Sequence, residues 1–148
     1  MTFPAGEFSE SMLYGRYVAR TAAITFDAGT TGSIAQHTLF TVTGQVQAVV
    51  VAYCSDDVTG GGGATISVGT ANVVDGLQPV TGFDALDTGM IWAGNNTPSE
   101  CEAETGNRGA FVAADITYDI LNATFTGGVV QWFCFWTPLS ADATVVTT

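Results

Sequence analysis

The sequence contains no lysine, and its 148 residues include only three arginines: Arg16, Arg20 and Arg108. Charged residues make up 11% of the chain, where a typical soluble domain has roughly 25%. Fourteen acidic residues leave a formal net charge of −11. Neutralising the phosphates of a nucleic acid takes clustered Lys and Arg, and so does docking on an anionic membrane surface. Neither partner is expected for this chain. Cysteine is also scarce. Cys54, Cys101 and Cys134 are an odd number at wide spacings, which is no disulfide framework. Cys54 and Cys134 lie in apolar runs, where a free thiol packs as a small hydrophobe, so buried thiols in a reducing compartment are expected. No window approaches a membrane-spanning length of apolar residues. The opening MTFPAGEFSE has neither the basic nor the apolar region of a secretory signal. Without such a signal, the two Asn-x-Thr triplets at 95–97 and 122–124 read as chance matches to a glycosylation pattern.

What is present is a core. Hydrophobic residues reach 47%, with nine Phe, four Tyr and three Trp. That is too apolar and too aromatic for a disordered chain, and the length suits one domain. Residues 1–20 differ from the rest. They hold Phe3, Phe8, Met12, Leu13, Tyr14 and Tyr17 together with two of the three arginines, Arg16 and Arg20. This segment reads as an N-terminal arm with apolar anchors, preceding a β-domain over 21–148.

From residue 21 the composition turns to Thr, Val, Gly and Ala, with turn signals every 8–12 residues. Strands are expected over 22–26, 33–43, 45–54, 64–69, 90–92, 110–120 and 129–138. Asp56, Asp57 and the four glycines at 60–63 read as a loop, with 64–69 returning as a hairpin on 45–54. Residues 70–89 read as irregular, 94–109 as a polar loop, 126–128 as a tight turn and the tail from Ser140 as polar. In 45–54 one face carries Val46, Ala48, Val50, Ala52 and Cys54. The other carries Val49, Val51 and Tyr53, so this end is expected to be covered on both sides. Seven to nine short strands with Gly-rich turns, and no amphipathic helix beyond the arm, predict an all-β fold. The expected form is a single-domain antiparallel β-sandwich, jelly-roll-like, with an N-terminal arm.

Candidate chemistry is thin. His37, the single histidine, has no partner evident in the sequence and reads as structural. Glu100, Glu102 and Glu104 alternate around Cys101, but the spaced ligands and fixed glycine of a Ca²⁺ loop are absent. A solvated acidic loop is the expectation there, as for Asp56–Asp57 and Asp84 with Asp87. The glycines at 60–63 are not followed by Gly-Lys-Ser/Thr and precede a strand, so they do not form a phosphate loop. No catalytic residue, cofactor or metal site is expected, and the chain does not read as an enzyme. The most unusual stretch is Gln131-Trp132-Phe133-Cys134-Phe135-Trp136. Strand alternation puts Trp132, Cys134 and Trp136 on one face and Gln131, Phe133 and Phe135 on the other. One reading is a central strand buried on both sides. The alternatives are an outer face that meets another subunit, or a Trp platform that stacks on sugars.

Four segments carry a family resemblance: LFTVTG at 39–44, ATISVGTA at 64–71, DALDTGMIW at 84–92 and FWTPLSADATVV at 135–146. Together they resemble a group of small virion structural proteins of tailed bacteriophages and prophages. The likeness covers roughly 25–146 and not the arm, and it departs at Ala143, where a glycine is common, and in the Gly-rich loop at 60–63. It implies a capsid decoration (cement) protein on the outer capsid surface of the virion, made in the bacterial host cytoplasm. Its partner would be the major capsid protein, and its assembly a homo-oligomer, a trimer. The alternative is a tail- or fibre-associated structural protein that binds glycans through Trp92, Trp132 or Trp136. For the decoration reading the expected interface residues are Phe3, Phe8, Leu13, Tyr14, Arg16, Arg20, Trp132 and Trp136.

Overall fold

The computed structural model describes residues 17–93, 98 and 109–148. Within them the chain is an all-β sandwich of two antiparallel sheets. The strands are β1 (Tyr17–Arg20), β2 (Ile24–Thr25), β3 (Gln36–Thr43), β4 (Val46–Gly60), β5 (Thr65–Gly69), β6 (Gln78–Gly82), β7 (Ile91–Ala93), β8 (Ala110–Val112), β9 (Ile116–Leu121), β10 (Phe125–Pro138) and β11 (Thr144–Thr147). A short 3-10 turn, Phe83–Ala85, follows β6.

The first sheet is built on two long strands. β4 and β10 pair along nearly their whole length, from Val46 opposite Pro138 to Gly60 opposite Phe125. β1 and β2 pair with the free side of β10, and β7 and β8 with the free side of β4. The second sheet runs β11-β3-β9-β5-β6. Alternation decides which side chains fill the space between the sheets. Val46, Ala48, Val50, Ala52 and Cys54 of β4 and Val130, Trp132, Cys134 and Trp136 of β10 face in and are buried. Ile66, Val68, Ile116, Tyr118 and Ile120 meet them from the second sheet.

An aromatic cluster joins the layers. Tyr118 on β9 stacks on Trp132 of β10 at 5.3 Å between ring centroids. Phe26 meets Tyr118, Phe125 and Trp132 edge-on. Offset and edge-to-face contacts of this kind add about 0.5–1.5 kcal/mol each beyond area burial. A second link is polar. β7 pairs with β4 at 51–53 and β8 at 46–48. Between them, neither β7 nor β8 pairs with Val49 or Val50. Gln78, from β6 of the other sheet, donates from Nε2 to Val50 O at 3.2 Å and to Trp92 O at 2.8 Å. A side-chain amide on one sheet thus bonds two backbone carbonyls of the other and ties the sheets together.

Several expectations change. β5 does not form a hairpin on β4: the chain crosses at Gly60–Ala64 into the other sheet, where β5 pairs with β6 and β9. Asp56 and Asp57 are not in a loop. β4 continues through them because β10 is long enough to pair with it, with register shifts around Gly127 and Val129. Gly127 and Gly128 are therefore bulge residues of β10, not a turn. Gly128 has φ +102°, and a Cβ there would lie 2.5 Å from Val58 Cα. Residues 110–120 form two strands in different sheets, separated at 113–115, where the Asp115 carboxylate accepts from Val42 N at 3.0 Å. Residues 78–82, expected to be irregular, form an edge strand that tolerates Pro79. The polar tail adds β11 beside β3. Residues 17–20 of the expected arm are strand β1 of the first sheet. Phe3, Phe8, Leu13, Tyr14, Arg16, the acidic loop at Glu100–Glu104 with Cys101, and Arg108 lie outside the described residues.

Candidate functional site

The second face of β4 and β10 turns away from the core. Register places Val18 beside Phe135 and Val49, Arg20 beside Phe133, Val51 and Ala93, and Gln131 beside Tyr53 and Ile91. Phe111 of β8 extends the face opposite Gln47. Phe133, Phe135, Val51 and Ile91 are half-buried, Val49 is buried, and Val18, Tyr53 and Phe111 are exposed, Phe111 at 82%. Among the described residues, the four rows from Thr137–Gln47 to Gln131–Tyr53 hold no carboxylate, and their one formal charge is Arg20, exposed on β1; the next row carries Asp56 opposite Val129.

The expected interface tryptophans are elsewhere. Trp132 and Trp136 point into the sandwich, at 0% and 9% exposure, and Trp136 is stacked on Tyr17 at 4.8 Å. Pairing two strands of alternating apolar residues leaves one aromatic set in the core and the other outside, and the larger indoles take the core. Phe133 and Phe135 occupy the outer position instead. Trp92 is fully buried too, so none of the three tryptophans presents a ring for stacking on sugars. The second face of β4 is likewise open, with Tyr53 exposed, rather than covered. Among the expected interface residues that the structure describes, Arg20 alone lies on this face.

The remaining candidates are integrated into the scaffold. His37 stacks on Tyr118 at 4.7 Å, and its Nε2 lies 3.1 Å from Ser33 O. Cys54 donates from Sγ to Asp56 O and Leu86 O. Burial pushes the Cys134 thiol up to about 12, which leaves almost no thiolate near neutral pH. Burial raises the Cys54 thiol as well.

Two of the four segments singled out in the sequence, 39–44 and 135–146, meet in space. Gly44, at φ +69°, ends LFTVTG in a turn that seats on the Pro-Leu-Ser segment after β10. Gln45 N donates to Ser140 Oγ at 2.9 Å, Leu139 N donates to Gln45 O at 2.8 Å, and Ser140 Oγ donates to Asp142. Hydrogen bonding to Ser140 holds the Asp142 carboxyl below its ordinary value. In DALDTGMIW, Thr88 donates to Asp57 Oδ1 from both its hydroxyl and its backbone N–H, each at 2.6 Å. That pair lowers the Asp57 carboxyl in turn. These motifs are joints of the scaffold. Compared with protein-family models, curated proteins and solved structures, the chain matches none of them significantly.

Proposed function

We propose that this chain is a structural protein of a tailed-phage virion, a decoration (cement) protein that binds the outer head surface and stabilises the capsid through subunit contacts. The observation that carries the reading is the outward face of the first sheet. Half-exposed phenylalanines among four strand rows without a carboxylate, in a chain otherwise rich in acid, have the composition of an interface core. The resemblance of 39–44, 64–71, 84–92 and 135–146 to small virion proteins supplies the particle. The acidic excess keeps free copies soluble and disfavours the genome side. The major capsid protein is the partner, and the segment preceding β1 is the part that reaches it. The tail-associated, glycan-binding alternative gains no support from the three buried tryptophans.

The test is binding to purified heads that lack this protein. The full chain is expected to co-sediment with heads, and removal of residues 1–16 to abolish binding while leaving the sandwich folded. The truncation stops at 16 because Tyr17–Arg20 belongs to the sheet. Normal decoration by the truncated chain would sink the role of that segment. Finding the chain on the tail in a map of the virion would sink the decoration reading itself.

A further inference from the structure

We infer that the outward face of the first sheet is where a second copy of this chain packs, independently of any capsid. Antiparallel sheets with one solvated face usually turn polar side chains to water. The first sheet instead turns out Val18, Phe133, Phe135, Val51 and Tyr53. Charge narrows the occupant. Two copies at −11 each repel on approach, and fourteen carboxylates are spread over a chain with three cations. The four register rows from Thr137–Gln47 to Gln131–Tyr53 carry no carboxylate and one cation, Arg20, while Asp56, opposite Val129, stands at their margin. Here two copies can meet without like charges in contact. Sheets also pack face to face at about 10 Å with interdigitated side chains, and a two-fold axis needs only one patch that fits itself.

Size sets the strength. Four strand spacings by six or seven residues span about 20 Å by about 20 Å, or about 400 Å² of flat area, about half of the roughly 800 Å² per partner of a standard specific contact, so the association is weak. Association is therefore concentration-dependent, tightening where many copies are held side by side.

Sedimentation equilibrium of the full chain without capsids, from about 1 µM to about 1 mM, reads the association directly. A concentration-dependent rise above the 15.3 kDa monomer mass is expected. Phe133→Glu is expected to weaken the dissociation constant by about thirtyfold or more, as for a central aromatic anchor. Tyr53→Glu, at an exposed position, does the same to a smaller degree and carries the test should Phe133→Glu fail to fold; near-UV circular dichroism of the buried tryptophans reports folding. Thr38→Glu, on the outward side of the other sheet, leaves association unchanged. A monomer at every concentration overturns the inference, as does an oligomer indifferent to both variants while they remain folded. A full chain that stays monomeric but associates once residues 1–16 are removed also overturns it, because that segment is then the occupant. Loss of head binding with self-association intact counts against the decoration reading alone.

Discussion

The two sheets enclose one core but treat water differently. The outward rows of the second sheet carry mostly polar residues, Gln36, Thr38, Thr65, Ser67, Thr117 and Asp119, with Leu121 and Val146 as single exposed aliphatics and no aromatic ring. Part of that side is also covered from within. Gly69 faces outward in line with Ser67, and a Cβ there would overlap the Val73 carbonyl oxygen, so the turn at 70–76 lies against it. Ser67 and Thr117 are consequently buried, and neither hydroxyl has a hydrogen-bond partner among the described residues. The outward rows of the first sheet carry phenylalanine, valine and tyrosine at the same kind of position. Strand geometry is equal on the two sides, so the contrast lies in what each face meets. One is covered in part by its own chain and is otherwise mostly polar, while the other leaves phenylalanine, valine and tyrosine partly exposed.

The largest effect that can sharpen this contrast lies within β10. Trp132→Ala removes a fully buried indole that joins both sheets, and a loss of about 3–5 kcal/mol in chemical denaturation is expected. Phe133→Ala, one residue along on the outward face, should lower monomer stability by only about 1 kcal/mol. Equal losses would mean that the outward face is as closely packed as the core. Next in size is Gln78→Leu. It strips the Val50 and Trp92 carbonyls of their shared donor inside the sandwich, and a loss of about 1–3 kcal/mol is expected from the urea midpoint.

A smaller effect of opposite sign is expected on the second sheet. Thr117→Val replaces a buried, unpartnered hydroxyl with a methyl of similar shape, so stability should stay level or rise by up to about 1 kcal/mol. A clear loss would show that the hydroxyl has a hydrogen-bonding role. The smallest effect concerns acid. Hydrogen bonds from Thr88 hold the Asp57 carboxyl below its usual 3.8 in the folded chain. The stabilisation is therefore present above that pH and is lost as pH falls through the folded value. Thr88→Val should be slightly less stable than the parent at neutral pH and converge with it in acid. A difference that persists in acid would assign the effect to packing.

Much of the fold was readable because strand alternation is local. The inward sets of β4 and β10 are each a run of every second residue, and an all-β sandwich follows from strands and turns that need no long-range knowledge. The misread elements share another cause. Whether residues 60–64 reverse the chain within a sheet or carry it across to the other depends on partners far away in sequence. The same holds at 113–115, where one apolar run divides between two sheets. Gly127–Gly128 has a turn composition, yet the long partner β4 makes it a bulge. Pro79 and Gly82 concealed β6, because an edge strand accepts residues that a central strand rejects.

The candidate face was legible in part. Aromatic residues at 131–136 with almost no charge pointed to contact, but both alternating sets were aromatic, and alternation alone cannot say which turns inward. Only pairing with β4 and closure against Tyr118 settled that Trp132 and Trp136 fill the core and leave Phe133 and Phe135 outside. The sequence by itself determined an acidic, lysine-free chain of short strands with an apolar core. The tertiary structure decided where its few polar and aromatic exceptions stand, because burial is set by which surfaces meet, and those surfaces come together only when residues distant along the chain pair.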